Sequence, residues 1–371
     1  MTAFSWLEVV AGVAIVLATF YDLFRSVVLP RPAINRFIIV RLLFSRFWAL
    51  WRWVSRRIQQ PARRETWLAT FGPTAVIVIF VVWALAFMLG YSLLLDGFHS
   101  QVRPPLVNFG ESLYFSATTI VPLSYGDYVP DGLGARLVVL LESATGVGIA
   151  ALVITLLFSL YSSFQDREEM VIQLDAVAGA PPSGVQLLET TAERGQRTEL
   201  ARTFIDWRAW AAKVLESHLA YPILVYFRSS HDNEAWINSF GAVMDAATLV
   251  LSILDEDEVG PAKMMFTVGN HLVEDLAWNL RFVNTSEVLV EREEFEEAVA
   301  RLRAAGYRCK PADSAYPLFV KLRSRYASPL EGLVERLAIT PAHWMGDRSY
   351  VPHADGRGRV RRHPAKVAPP K

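Results

Sequence analysis

The residues whose types and order could do chemistry lie in one short segment between two long apolar runs. Residues 109–121 have the composition of a helix too short to cross a bilayer, and they lead into a Tyr-Gly-Asp sequence at 125–127. Irregular backbone at membrane depth survives only where protein or a water-filled cavity surrounds it. The C-terminal end of the short helix carries a partial negative charge, which favours a cation in such a cavity. The segment therefore indicates a cation site.

This segment resembles the pore loop of the tetrameric potassium channel family, in which a pore helix leads into a Thr-x-Gly-Tyr-Gly-Asp filter. Aligned without gaps, Tyr125, Gly126 and Asp127 keep the family's residues. Pro122 stands where the family has Thr, and Ser124 stands where it has the first Gly. The resemblance implies a homotetrameric pore that conducts potassium.

The resemblance also assigns the ion-binding filter residue by residue. In the family, rings of backbone carbonyls replace the hydration shell of potassium. The matching residues here are Pro122, Leu123, Ser124, Tyr125, Gly126 and Asp127. The family Asp helps to fix the filter and attracts cations to its entrance. The alternative for Asp127 is a solvated turn residue.

The two departures from the family pattern have physical consequences. Pro122 has neither a hydroxyl nor an N–H group, so the innermost ion site loses a layer of ligands. Ser124 would cost about 1 kcal/mol or more in the φ > 0 backbone that glycine permits. We therefore expect a modified filter backbone and weaker discrimination between potassium and sodium.

Glu142 is the one ionisable residue deep in the apolar run 135–161. Carboxylates inside a membrane are costly, and a functional role is their default interpretation. Counted from Pro130, Glu142 lies level with the filter, where it would support the filter by accepting hydrogen bonds from Ser or Thr hydroxyls. Thr118 and Thr119 are the threonines assigned to this support. Direct contact with the ion and an incidental pair are the alternatives.

Gly146 and Gly148 lie in the middle of the same apolar run. In the potassium channel family, an inner-helix glycine often acts as a gating hinge, and the resemblance assigns that role to these two. The alternative is that they only let helices pack closely, as small residues do in membranes.

The apolar runs indicate a helical membrane protein. The chain has 371 residues, of which 52% are hydrophobic, with a formal net charge of zero. Residues 6–29, 73–95 and 135–161 each pass the length of about 20 residues that a transmembrane helix needs. The single cysteine, Cys309, excludes an intramolecular disulfide and fits a reducing cytoplasm around the C-terminal half.

The charges of the linker between the first two spans predict the orientation. Nine arginines precede its first acid, Glu65, and the positive-inside rule then makes the linker cytoplasmic. They are Arg31, Arg36, Arg41, Arg46, Arg52, Arg56, Arg57, Arg63 and Arg64. We expect a plasma (inner) membrane protein with the N-terminus and the filter entrance outside and everything after Tyr161 in the cytoplasm.

The first part of the linker has the pattern of an interfacial helix. Its first four arginines recur every five residues and scatter around a helix, whereas apolar residues recur at three and four. These apolar residues are Phe37, Val40, Phe44, Phe47, Trp48 and Trp51. The pattern favours contact with anionic lipid head groups. The alternative, a voltage-sensing helix, needs an arginine at about every third position.

The chain after the third span predicts a cytoplasmic α-helical bundle. The helical patterns cover residues 187–218, 232–254 (with Asp232 or Asn233 as N-cap), 262–282, 291–305 and 313–338, the last interrupted by Pro317 and Pro329. His218 could pair with a carboxylate such as Asp245 or Asp275. A satisfied, partly buried histidine is the alternative.

The predicted domains are an N-terminal span (1–30), a basic linker (31–72), a pore-loop domain (73–164), a helical domain (165–346) and a basic disordered tail (347–371). This layout also resembles that of bacterial potassium-channel-like proteins. The leading hypothesis is a homotetrameric cation channel, and the alternative is a non-conducting pore-fold scaffold or sensor. A membrane-anchored enzyme lacks support, because no nucleophile–base or metal-ligand motif is visible. We expect no cofactor besides the permeant ion, potassium, and no nucleic-acid partner.

Overall fold

The computed structural model describes residues 3–28, 39–193, 195, 197–229, 235–255, 259–280, 290–342 and 344–345. The regular structure in these ranges is almost entirely helical, and three helices are long and apolar enough to cross a membrane. The predicted fold class, a helical membrane protein, is confirmed. Arg31, Arg36, the proposed N-caps Asp232 and Asn233 and the predicted tail 347–371 lie outside the described residues.

In the described residues before the candidate site, the chain forms four α-helices. They are α1 (Ala3–Leu23), which continues as a short π-helix, α2 (Ile39–Ser55), α3 (Pro61–Ala69) and α4 (Phe71–Gly97). α1 packs closely against α4, since a Cβ on Gly12 would lie 2.6 Å from the carbonyl oxygen of Gly90. The Trp83 indole also donates a hydrogen bond of 2.8 Å to Asp22. The first span is therefore built against the second.

The basic helix α2 places an aromatic cluster at the start of α4. Trp48 is buried, and its ring centroid lies 4.7 Å from that of Phe71. The rings of Phe47 and Trp51 also contact Phe71, with centroids 5.3 and 6.0 Å away. Part of the apolar face predicted for lipid therefore packs on α4. Contact of this helix with anionic lipid stays a prediction.

The pore-loop domain continues with a short helix, a two-stranded ribbon and a long helix. These elements are β1 (Val102–Arg103), α5 (Phe109–Ile120), β2 (Val129–Pro130) and α6 (Leu133–Ala178). α5 ends within one residue of the predicted short helix 109–121. α6 continues well beyond the predicted span 135–161. It does so because residues 162–178 contain no proline or glycine, and a polar sequence can continue a helix that has left the membrane.

In the described residues after α6, seven α-helices form a bundle. They are α7 (Gly184–Glu193), α8 (Arg197–Ala220), α9 (Trp236–Ser252), α10 (Gly260–Leu280), α11 (Arg292–Ala304), α12 (Ala312–Arg323) and α13 (Ala327–Leu337). α9 is buried along nearly its whole length and is the core of the bundle. The single helix predicted over 187–218 is wrong, because the chain breaks between α7 and α8, where Gly195 has a φ of +66°.

Two compact units make up the chain. The first comprises Met1–Gln59 and Thr70–Ser162, and the second comprises Gln60–Ala69 and Ser163–Lys371. The predicted boundary near residue 164 lies close to this division. However, α3 belongs to the C-terminal unit, although it precedes α4 in the chain.

Candidate functional site

Polar side chains fix the start of the short helix α5. Asn108 caps it by accepting a hydrogen bond of 3.1 Å from the amide of Glu111. The Glu111 carboxylate in turn accepts from the amide of Val107 at 2.8 Å, which completes a reciprocal cap. Ser112 donates to Asp96 at the end of α4 at 2.7 Å. The N-terminal end of α5 is thus fixed by the residues around its cap and by Asp96 of α4.

The end of α5 holds the first residues of the filter. The carbonyl of Thr118 accepts hydrogen bonds from the amides of Leu123 and Ser124, at 2.9 and 3.5 Å. The hydroxyls of Thr118 and Thr119 both donate to the carbonyl of Phe115, at 3.0 and 2.8 Å, and not to Glu142. Thr118 therefore contacts the filter through its backbone, which the sequence did not predict.

The six predicted filter residues, 122–127, are all exposed in the single chain. The side chain of Tyr125 is 67% exposed and that of Leu123 is 50% exposed. Within the described part of the chain, the carbonyls of residues 122–125 accept no backbone hydrogen bond. Their oxygens are therefore available to a ligand.

Ser124 has a φ of +50° and Gly126 a φ of +80°. Serine thus occupies the left-handed region for which the family uses glycine, at a cost of about 1–2 kcal/mol. We expected the filter to avoid this cost through a modified backbone. At Ser124 it does not, because the two amides that bond to Thr118 hold the turn in place.

Glu142 lies behind the short helix and is fully buried. One of its carboxyl oxygens accepts a hydrogen bond from Ser116, and the other has no hydrogen-bond partner. The Ser116 hydroxyl also lies 2.9 Å from the carbonyl of Met88. Ser116 on α5 therefore joins α4 to α6 at this level. The hydroxyl predicted to bond Glu142 belongs to this serine, which the sequence analysis did not single out.

The two inner-helix glycines have different surroundings. A Cβ on Gly146 would lie 2.0 Å from the carbonyl oxygen of Ile120, at the end of α5, whereas a Cβ on Gly148 would meet nothing within 4 Å. Next to Gly146, the hydroxyls of Thr145 and Tyr91 form a 2.8 Å hydrogen bond between α6 and α4. Gly146 therefore permits close packing. A hinge role stays a prediction for both glycines.

Aromatic rings and the short ribbon hold the residues after the filter. The Tyr128 ring centroid lies 6.2 Å from that of Tyr114 and 5.8 Å from that of Phe115. Strands β1 and β2 then pair antiparallel, and Arg103 forms an ion pair of 2.7 Å with Asp131. The filter is thereby anchored at both ends within one chain.

His218 lies in the C-terminal unit and forms no hydrogen bond with Asp245 or Asp275, the carboxylates proposed for it. It is fully buried, with Nδ1 2.8 Å from the carbonyl of Val214 and Nε2 3.4 Å from the guanidinium of Arg167. Burial and, secondarily, the charge of Arg167 lower the pKa of His218 to about 3. Asp245 instead bonds to Tyr326 at 2.5 Å. His218 is therefore a neutral structural residue. The described residues contain no cluster of side chains suited to a metal ion.

Two transmembrane helices that flank a short helix and an exposed extended segment define a pore-loop membrane protein. Residues 75–163 match the protein-family model described as "Ion channel". This part of the chain is therefore similar to an ion channel domain, and the match spans most of α4, α5, residues 122–127 and the apolar part of α6.

The chain is also similar to an uncharacterized membrane protein, YdjJ, of Bacillus subtilis (strain 168). The two are 21% identical over 187 residues, which is 49% of this chain and 54% of the relative. The chain thus spans about half the length of the curated relative that it matches. No solved structure matches the chain.

Proposed function

We propose that four copies of this chain form a cation channel that conducts potassium with modest selectivity. The observation that carries the proposal is the filter, 122–127, which is anchored at both ends and exposes carbonyls without backbone partners in the described chain. Such oxygens can replace the hydration shell of a monovalent cation. The ion channel domain matched by residues 75–163 supports the same function.

The assembly follows from the single pore loop of each chain. Exposed backbone carbonyls are not tolerated in lipid, so the filter has to face other protein or water. One face of α6 also leaves large apolar side chains uncovered, among them Leu140, Val147 and Ile154. A ring of identical chains closes the filter around an axis and covers this face. Four is the number that the potassium channel family uses.

The modest selectivity follows from two residues. Pro122 provides no hydroxyl for the innermost ion site, and Ser124 is held in a backbone region that disfavours it. A filter with a missing ligand layer and a strained residue discriminates less between potassium and sodium. Asp127 at the outer end of the filter would attract cations to the entrance.

The orientation that fits this function is the one predicted from the arginines of the linker. The N-terminus and the filter entrance would face the outside of the plasma membrane, and the C-terminal unit would lie in the cytoplasm. The described arginines Arg46, Arg52, Arg56 and Arg57 would then lie near the anionic head groups of the inner leaflet.

The test is the reversal potential under bi-ionic potassium and sodium conditions, measured on purified protein in lipid bilayers. The double variant Pro122→Thr, Ser124→Gly restores the family's hydroxyl and glycine, so we expect a higher potassium/sodium permeability ratio than in the wild type. Val107→Ala, at an 83% exposed residue before α5, is the control and should leave the ratio unchanged. A strongly selective wild type that the double variant does not improve would contradict our interpretation of Pro122 and Ser124.

A second candidate function is a non-conducting scaffold or sensor that keeps the pore fold. The strained Ser124 and the proline at the innermost site favour it. The same recordings separate the two candidates. A silent wild type together with a conducting double variant would support the scaffold, whereas current through the wild type would exclude it.

A further inference from the structure

The C-terminal unit contains the end of the helix that follows the pore loop, α6, and the short helix α3 that precedes the other flanking helix, α4. α3 lies in this unit and leads through a single residue, Thr70, into the outer helix α4. The end of the inner helix, residues 163–178 of α6, lies in the same unit. Any contact that connects α3 to this end of α6 therefore bears on both helices of the pore.

Residues 227–229, which we call the bridge segment, make such contacts with α6. The carbonyl of Phe227 accepts a hydrogen bond of 2.6 Å from Arg167, and the ring centroids of Phe227 and Phe164 lie 6.0 Å apart. Ser229 donates to Glu168 at 3.2 Å. Both ends of the segment are thus bonded to the inner helix.

The middle residue of the bridge segment, Arg228, faces α3. Its Nε and Nη2 atoms form a bidentate ion pair with the Glu65 carboxylate. The distance from Nη2 to Oε2 of Glu65 is 2.8 Å. The same guanidinium donates to the carbonyls of Leu337 and Ala338 at 2.7 and 2.9 Å. The side chain of Arg228 is only 7% exposed and that of Glu65 is 32% exposed. This pair is therefore better shielded than an ordinary surface ion pair.

The contact with α6 is equally well defined, because Arg167 is fully buried. It forms an ion pair of 2.9 Å with the neighbouring Glu168 and donates to the carbonyl of Leu224 at 3.1 Å. A buried charge whose partners are removed is strongly destabilised, so this arrangement tolerates little displacement. A shift of the bridge segment would therefore have to move α6 with it.

We propose that the bridge segment positions the pore helices: it fixes α3 relative to the end of α6 and thereby sets the balance between conducting and non-conducting states. Loss of the Glu65–Arg228 pair would change how often the pore opens without changing which ion it prefers, since the filter is not touched. The effect on opening rests on the proposed channel function. The link between α3 and α6 does not.

The link is tested first by a distance measurement that needs no current. Spin labels are placed on cysteines introduced at the exposed positions Arg64 on α3 and Glu169 on α6, in a Cys309→Ser background. In the full-length protein, we expect Arg228→Gln to broaden or shift the distance distribution between the labels. Arg202→Gln, which removes an exposed ion pair within α8, is the matched control. It should leave the distance distribution between the labels unchanged. An unchanged distribution in Arg228→Gln would overturn the proposal.

The second test is a double-mutant cycle on the open probability. Because a hydrogen bond to a charged group is stronger than a neutral one, we expect Glu65→Gln and Arg228→Gln each to change the ratio of open to closed channels by about tenfold or more, in the same direction. The double variant should change no further than Arg228→Gln alone, and the permeability ratio should stay at the wild-type value. Additive effects, or no effect in a conducting protein, would overturn the proposal. A changed label distance in a protein without current would support the link and contradict the proposed channel function instead.

Discussion

The hydroxyl of Ser116 can donate one hydrogen bond, but two acceptors lie within reach of it. These are the Glu142 carboxyl and the carbonyl of Met88. The second carboxyl oxygen of Glu142 is buried without a partner, which is unfavourable for a charged group. The contacts of Ser116 with α4 and α6 therefore depend on which side chain occupies position 142.

We predict that Glu142→Gln preserves the channel whereas Glu142→Ala does not. The glutamine oxygen can still accept from Ser116 and carries no charge, so stability should be unchanged or higher. Alanine leaves Ser116 without this bond and opens a cavity, at a cost of roughly 1–3 kcal/mol. The measurement is the thermal stability and the current of each variant. Ser159→Ala, which removes an exposed hydroxyl on the same helix, is the control. Equal losses in the glutamine and alanine variants would show that the carboxyl itself is required.

His218 gives the C-terminal unit a defined pH dependence. Its pKa is about 3 in the folded protein and 6.5 as an ordinary value. Between these values, the unfolded chain binds a proton that the folded chain does not. The free energy of unfolding should therefore fall by about 1.4 kcal/mol for each unit that the pH is lowered below 6.5.

The variant that tests this prediction is His218→Gln, because the glutamine side chain does not titrate. We expect the melting temperature of the full-length protein to fall less steeply between pH 6.5 and 4.5 in the variant than in the wild type. The slope is compared, because the substitution also changes the absolute stability. Parallel slopes would mean that another group determines the pH dependence.

Sequence reasoning predicted the segment after α5 as a filter but not the contacts that hold it. Residues 122–127 were singled out by a local pattern, a short helix followed by Tyr-Gly-Asp, and their role as a filter stays a prediction. Ser116 and the Tyr91–Thr145 pair could not be found in this way, because they depend on how α4, α5 and α6 pack. The sequence signal for Ser116 is its position two and three residues before Thr118 and Thr119 on the same helix.

The inner helix α6 carries two glycines whose roles the packing separates. We predict that Gly146→Ala destabilises the protein by about 1–3 kcal/mol. The added Cβ would clash with the backbone at the end of α5, and backbone cannot move aside as a side chain can. Gly148→Ala should be neutral or stabilise the helix by about 1 kcal/mol, since that site has room within one chain. The thermal stability of each variant is the measurement.

Current recordings on the same two variants address the hinge. If Gly148 serves as a bending point, its alanine variant should be stable but open less often. Normal opening of Gly148→Ala would assign no hinge role to this glycine. A stable, normally conducting Gly146→Ala would contradict the packing argument.

The helices of the C-terminal unit show where periodicity is informative. α10 begins within two residues of its predicted start, and α11 lies within one residue of its predicted bounds, because apolar periodicity and the acid-rich start of α11 mark these positions. The predicted end of α10 at residue 282 lies outside the described residues.

Pro317 and Pro329 were predicted to interrupt the helix 313–338, yet Pro317 lies inside α12 and Pro329 lies in the first turn of α13. The helix breaks between the two prolines, at residues 324–326. Tertiary packing around the buried Phe319 outweighs the local preference at Pro317.

At the scale of the whole molecule, the uncovered filter predicts the oligomeric state. We expect the purified protein in detergent or in native membranes to have the mass of four chains, because a single chain leaves filter carbonyls and the apolar face of α6 exposed. Native mass spectrometry is the measurement. A stable monomer would contradict both the channel and the scaffold, since each requires a closed ring.

The single pore loop per chain has a genetic consequence. If four chains share one filter, as we propose, random mixing of equal amounts of normal and defective chains leaves about one pore in sixteen without a defective member. A substitution that spoils the filter but spares assembly, at Gly126 for example, should therefore be dominant when expressed beside the normal copy. A truncated chain that cannot join the ring should be recessive.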